Sequence, residues 1–192
     1  MRFKIRNILD ALEKVGEDFL TGVFASFSCN VNLEIESFLK GRAIDFAKRR
    51  LSITYLVTDT DDGAFLGYFT LTHKAIVVDK NDFSKTAQRK LARYSRLDRQ
   101  TGNYMAAAFL LAQFGKNYAV DDGKRISGAE LMKMANDILV DIQRQIGGGI
   151  VYLDCEDRAK LISFYEDKGF QKFSERFSEE DNQKYIQFIR FL

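Results

Sequence analysis

Apolar residues recur at steps of three or four through Ile8, Leu12, Val15, Phe19, Val23 and Phe27, a spacing that predicts a helix over 7–28. A second helix is predicted over Leu33–Lys48, through Ile35, Phe38, Leu39, Ile44 and Phe46. The period then changes to two. Ile53, Tyr55 and Val57 alternate within a strand over Ser52–Asp59, Thr60-Asp61-Asp62-Gly63 makes a turn, and Phe65–Thr72 is the hairpin partner. Phe83–Arg99 reads as helix, and the apolar run Tyr104–Gly115 reads as a central strand. The clearest helix is Ala129–Ile146: Ser127 and Glu130 form a capping box, Leu131, Ala135, Ile138, Leu139, Ile142 and Ile146 make one stripe, and Gly147-Gly148-Gly149 ends it. Ile150–Asp154 is then a short buried strand, Asp157–Lys168 a helix closed by Gly169, and Phe170–Phe173 with Lys184–Phe191 a final antiparallel pair. The order strand–helix–strand–helix through the middle implies an α/β fold whose mixed, mostly antiparallel sheet has a parallel strand pair at its centre and helices on its flanks.

Composition narrows the chemistry more than it names it. The 192 residues, 46% of them hydrophobic, suffice for one domain over 1–192, with a core at about 50–175 and the helices of 7–48 as an elaboration. No run approaches the ~20 apolar residues of a membrane span, and the basic start Met1–Arg6 leads into Asn7, Asp10 and Glu13 instead of an apolar signal segment. The expected location is the cytoplasm. Cys29 and Cys155 are isolated and read as buried free thiols, and a single histidine without a Cys-x-x-Cys motif predicts no metal site. His73 sits in an alternating strand pattern, where a surface or packing role outweighs a catalytic pair. Chemistry here therefore falls to backbone groups, tyrosine or carboxylates.

Net charge is only +2, but between Ser84 and Gln100 six bases (Lys85, Arg89, Lys90, Arg93, Arg96, Arg99) face Asp98 alone. That local +5 leaves −3 for the remainder. Such a patch attracts an anionic partner, or is simply a solvated helix face. A second basic segment, Gly123-Lys124-Arg125-Ile126-Ser127-Gly128, ends a loop at a helix start. Helix N-termini expose unpaired amides and the positive dipole end, which suit phosphate; Gly and Ser also stand there merely because they cap well.

The strand, loop and helix of 109–146, followed by Val151-Tyr152-Leu153-Asp154 and by Phe164-Tyr165-Glu166-Asp167-Lys168-Gly169-Phe170, resemble the core of the GCN5-related N-acetyltransferases. The likeness covers about residues 50–175. The F-Y-E-x-x-G-F segment is its most telling piece, a helix ending just before a strand. Against the family loop Q/R-x-x-G-x-G/A the closest match is Gly123, Ile126 and Gly128, of which only the last agrees; a two-residue slide puts Arg125 and Gly128 on the first two positions and Glu130 on the third.

The resemblance implies acetyl-CoA as cosubstrate. By position, Phe114, Gly115 and Lys116 present backbone groups to the pantetheine arm, and Lys124, Arg125, Ile126, Ser127, Gly128 and Ala129 surround the pyrophosphate. Tyr165 matches the tyrosine facing the CoA sulfur, where a phenol of pKa about 10 can protonate a thiolate whose thiol has pKa about 8.5. The alternative for Tyr165 is a packed aromatic on an amphipathic helix. Glu156 is the candidate base for the attacking amine, or else a helix-start charge. Three functions follow: an N-acetyltransferase acting on a primary amine of a small molecule or protein, with room for a homodimer; a toxin-like acetyltransferase acting on aminoacyl-tRNA bound through 85–99; and a non-catalytic module that keeps the fold.

Overall fold

The computed structural model describes residues 2–179 and 182–192, so Met1, the first residue of the basic N-terminal stretch, lies outside the described residues. The chain divides into two compact units, one of residues up to Thr72 with Ala112–Leu139, the other of His73–Leu111 with residues from Val140 onward.

In the first unit β1 (Phe3–Asn7) pairs antiparallel with β2 (Ile53–Asp59), which pairs with the start of β3 (Phe65–Asp79) from Ile53↔Leu71 to Thr58↔Phe65. The helix predicted over 7–28 is corrected in two places. Its first residue closes β1, and the Asn7 carboxamide accepts the Leu9 N–H at 2.9 Å to start α1 (Ile8–Val15). Gly16, at φ +80°, then breaks the helix before α2 (Glu17–Ala25). The predicted 33–48 helix is likewise two, α3 (Leu33–Gly41), capped by Asn32, and α4 (Ala43–Lys48). Their apolar faces meet the sheet around Phe24, Phe27, Leu39, Ala43, Ala47 and Tyr68, and the Phe27 ring lies 5.7 Å from Phe65 and 5.4 Å from Tyr68.

In the second unit the predicted 83–99 helix is shorter. Only Lys85–Leu91 is helical (α5); after a turn, Ser95–Leu97 is a strand, β4, paired antiparallel with β5 (Asn103–Lys116). The alternation of Tyr104, Ala106 and Ala108 on the buried face of β5 accounts for that strand, and Phe83, Ala87 and Leu91 pack in the same cluster. β6 (Ile150–Glu156) runs parallel to β5, in register at Phe109↔Val151 and Leu110↔Tyr152. The chain between them contains α6 (Gly128–Ile146), in keeping with a parallel crossover. α7 (Ala159–Asp167) precedes β7 (Gln171–Ser178) and β8 (Gln183–Phe191), and β8 lies between β6 and β7. Among the described residues eight strands form one sheet in the order β1-β2-β3-β5-β6-β8-β7, mostly antiparallel, with β5–β6 as the parallel pair and β4 beside β5. The triple glycine is structural: Gly148 takes φ +93°, and a Cβ on Gly149 would fall 2.1 Å from the Tyr94 ring.

Candidate functional site

The end of β5 in the first unit is packed too closely for side chains. A Cβ on Gly115 would lie 2.4 Å from Ile35 Cγ2, and one on Gly67 would lie 2.7 Å from the Gly115 carbonyl oxygen. Phe114 and Lys116 flank Gly115, both half-buried. Asn117, buried, then fixes the exit of the chain. Its N–H donates to Leu66 O at 2.8 Å, its Nδ2 to Phe65 O at 2.9 Å, and its Oδ1 accepts the N–H groups of Ser28 and Ala119 at 3.0 Å each. Sequence reasoning passed over Asn117; the available signal was an amide side chain directly after an apolar strand, where a turn needs its backbone groups answered locally.

The two bases of the loop have different standings. Lys124 Nζ meets Asp62 Oδ2 at 2.6 Å with both side chains exposed, and this carboxylate raises the Lys124 pKa. An exposed pair of this kind is worth about 0–1 kcal/mol, so Lys124 can exchange its partner for a phosphate at little cost. Arg125 is committed. Its Nη2 donates to the carbonyls of Tyr118 (3.1 Å) and Val120 (2.9 Å), its Nη1 pairs with Asp122, and its guanidinium lies 4.9 Å from the Tyr118 ring centroid. Arg125 shapes the loop from within, and Ile126 beside it is buried.

At the start of α6 the capping box forms as the sequence predicts. Ser127 N–H and Oγ–H both donate to Glu130 Oε2, and Glu130 N–H donates to Ser127 Oγ at 3.1 Å. Leu131 N–H bonds Ser127 O. The amides of Gly128 and Ala129 are the ones left for a ligand among the described residues. Glu130 is held below the usual glutamate pKa, first by the Ser127 hydroxyl and then by the Ser127 amide.

In the second unit Tyr165 is buried on α7 among Phe164, Phe170 and Phe188, with ring centroids 5.2, 5.8 and 5.9 Å away. Burial pushes its phenol pKa up, so the group stays protonated throughout the neutral range. Cys155 is buried and free, its thiol pushed up to about 12 by burial and then by Asp154, Asp157 and Glu156. Glu156 stands at the end of β6, not after it, with a side chain 11% exposed and paired to Arg158 Nε at 2.5 Å. A polar group that the sequence did not announce lies on the same face of β6 as Glu156, two residues earlier in the strand. Asp154 accepts from the Tyr152 hydroxyl, from Arg176 Nε at 2.7 Å and from Gln187 Nε2 at 3.2 Å. Arg176 and Gln187 are far from Asp154 in sequence and reach it only through the β6–β8–β7 register.

Lys85, Arg89, Lys90, Arg93, Arg96 and Arg99 are all exposed, and none has an acidic partner within ion-pair distance among the described residues. They are not one helix face, as the predicted 83–99 helix would make them, but are shared between α5, the turn after it, β4 and, for Arg99, the turn that follows β4.

No family model and no curated protein matches the chain. Solved structures do. The toxin AtaT complexed with acetyl-methionyl-tRNAfMet matches at a TM-score of 0.65 and 13% identity, over 99% of this chain and 94% of that one. A Tyr-to-Phe mutant of AtaT bound to the C-terminus of the antitoxin AtaR and acetyl-CoA matches at 0.60 and 14%, over 100% and 94%. A Tyr-to-Phe mutant of KacT matches at 0.63 and 19%, over 98% and 95%. The chain shares the fold of these AtaT and KacT structures. Within this fold the parallel pair is β5 and β6, and the strand-to-helix turn is the passage from Gly115 to Gly128. Among the described residues no helix is long and apolar enough to cross a membrane.

Proposed function

We propose that this chain is an N-acetyltransferase that moves the acetyl group of acetyl-CoA to a primary amine. The observation that carries the reading is the start of α6, where two amides remain open behind a glycine-containing loop. That turn follows a core strand in a fold that, in AtaT, has been solved with acetyl-CoA. Gly128 and Ala129 donate their amides to the pyrophosphate, Lys124 leaves Asp62 to add charge, and Arg125 keeps the loop in shape. The last residues of β5, Phe114, Gly115 and Lys116, offer backbone groups to an extended pantetheine arm as a neighbouring strand would. Acetyl-CoA supplies the activated thioester. Tyr165, kept protonated by burial, donates its proton to the departing thiolate, and Glu156 takes the amine proton once released from Arg158. The test is incubation of the purified chain with acetyl-CoA and a panel of free amines, peptides and aminoacylated tRNA. The expected result is one acceptor class gaining an acetyl group with matching release of free CoA. Binding of acetyl-CoA without transfer to any acceptor contradicts the enzymatic reading and leaves a non-catalytic module.

A specific observation favours aminoacyl-tRNA within that panel: six exposed bases without acidic partners among the described residues, on α5, β4 and the turns that follow each. AtaT is solved with acetyl-methionyl-tRNAfMet. If these bases touch phosphates, Arg89→Glu with Arg93→Glu should weaken tRNA binding and lower its salt slope by about two, roughly one per lost contact, while acetyl-CoA binding is unchanged. An unchanged slope assigns the patch to solvent.

A further inference from the structure

β6, β8 and β7 are in register at Glu156↔Tyr185 and Tyr185↔Arg176, so these three residues form one row on one face of the second unit. Arg176 reaches out of its row. Its Nε donates at 2.7 Å to Oδ2 of Asp154, which stands in the next row opposite Gln187. Its guanidinium lies 4.6 Å from the Tyr185 ring centroid. Asp154 is held in turn through Oδ1, which accepts from the Tyr152 hydroxyl and from Gln187 Nε2.

An arginine held at Nε and stacked on a ring keeps its two terminal nitrogens oriented as a fork. Among the described residues neither terminal nitrogen of Arg176 has a partner, and the side chain is 44% exposed. Arg125, by contrast, gives its terminal nitrogens to Tyr118, Val120 and Asp122. A free fork matches two oxygens of a phosphate or a carboxylate. Separation chooses between them. Asp154 and Glu156 are successive residues on one face of β6, about 7 Å apart along the strand, so an amine at Glu156 lies at that order of distance from the fork beside Asp154. The carboxylate of a free amino acid sits on the carbon next to its amine, too close to reach. An amino acid esterified to a terminal ribose has its nearest phosphate beyond the ester, the sugar ring and one methylene, which spans the gap.

We propose that Arg176 binds the phosphate of the acceptor's terminal nucleotide and so sets the esterified amino acid with its amine at Glu156. The inference rests on the acetyltransferase reading with aminoacyl-tRNA as acceptor, and adds to it a phosphate contact outside the six bases of 85–99. Asp154 and Tyr185 are positioning residues: one fixes Nε, the other the plane of the guanidinium.

Calorimetric binding of adenosine carrying an amide-linked amino acid on its sugar, and of the same compound phosphorylated at the other end of the sugar, tests this without any acetyl transfer. The expected result is that the phosphate tightens binding to the wild-type chain at least about tenfold and that Arg176→Gln abolishes the difference. Arg176→Lys keeps the charge without the fork and should recover only part of it. Both variants should keep the wild-type circular dichroism spectrum, because Asp154 retains Tyr152 and Gln187 as donors. Equal binding of the two compounds by wild type, or an undiminished preference in Arg176→Gln, overturns the proposal. So does weaker acetyl-CoA binding in Arg176→Gln, which assigns the fork to the cosubstrate. Phosphate-selective binding lost in Arg176→Gln, in a chain that acetylates no acceptor, upholds the Arg176 site and counts against the acetyltransferase reading alone.

Discussion

Ser127 and Glu130 hold each other at the first turn of α6, with Ser127 N–H and hydroxyl donating to Glu130 Oε2 at 2.9 and 2.6 Å and Glu130 N–H donating back at 3.1 Å. The pair fixes where the helix begins. It also places a carboxylate at the dipole end proposed for phosphate, so α6 starts with an anion of its own.

Glu130→Ala should therefore have opposite effects on the free and the liganded protein. Loss of the reciprocal cap should destabilise the free chain by about 1 kcal/mol at neutral pH. Because folding lowers the Glu130 pKa from its ordinary 4.5, this contribution is present above 4.5 and disappears as pH falls through the lower folded value. Wild type and variant should then melt alike in strong acid. Acetyl-CoA affinity should rise by about two- to fivefold, from roughly 0.3–1 kcal/mol for removing a competing charge at the helix end. Chemical denaturation at two pH values and titration of acetyl-CoA check both signs.

Gly115→Ala should cost about 1–3 kcal/mol, because its Cβ falls 2.4 Å from Ile35 Cγ2. Ile35→Ala alone should also destabilise, but the double variant should be more stable than the two costs added together. Strict additivity in a denaturation cycle would show that the contact with Ile35 is not what requires glycine.

Much of this architecture was legible because single-element signals decided it. The α6 stripe, its capping box and its glycine stop agree with one another, and the β5–α6–β6 order follows from period and length. Gly16 was read through, because the apolar spacing of Leu12, Val15 and Phe19 continues across it while the backbone turns at φ +80°. β1 escaped because Phe3, Ile5 and the start of α1 make too short an alternation beside a strong helical period. In the candidate site, types and positions were readable but engagements were not. That Lys124 faces Asp62 and Arg125 faces the carbonyls of Tyr118 and Val120 depends on how the loop folds back. The Asp154, Arg176 and Gln187 contacts likewise need the strand register.

Tyr165→Phe removes one oxygen from a ring packed against Phe164, Phe170 and Phe188, so stability should change little. If the phenol protonates the leaving thiolate, turnover on an accepted amine should fall by about a hundredfold or more with acetyl-CoA affinity nearly unchanged. Burial raises the phenol pKa, so wild-type turnover should hold through the mildly alkaline range and fall only above about 10, the ordinary tyrosine value. Wild-type rates in the variant, with chemistry limiting, would return Tyr165 to the core as a packing residue.

Titration calorimetry of acetyl-CoA against wild type and Gly128→Glu tests the central claim most directly. Glutamate at the first residue of α6 sets bulk and a second negative charge against the amides proposed to hold the pyrophosphate. The account predicts saturable one-to-one binding to wild type, a melting temperature that climbs with ligand concentration as mass action requires, and neither effect in Gly128→Glu. Absence of heat and of any thermal shift in wild type at millimolar acetyl-CoA, or equal binding by the variant, would contradict it.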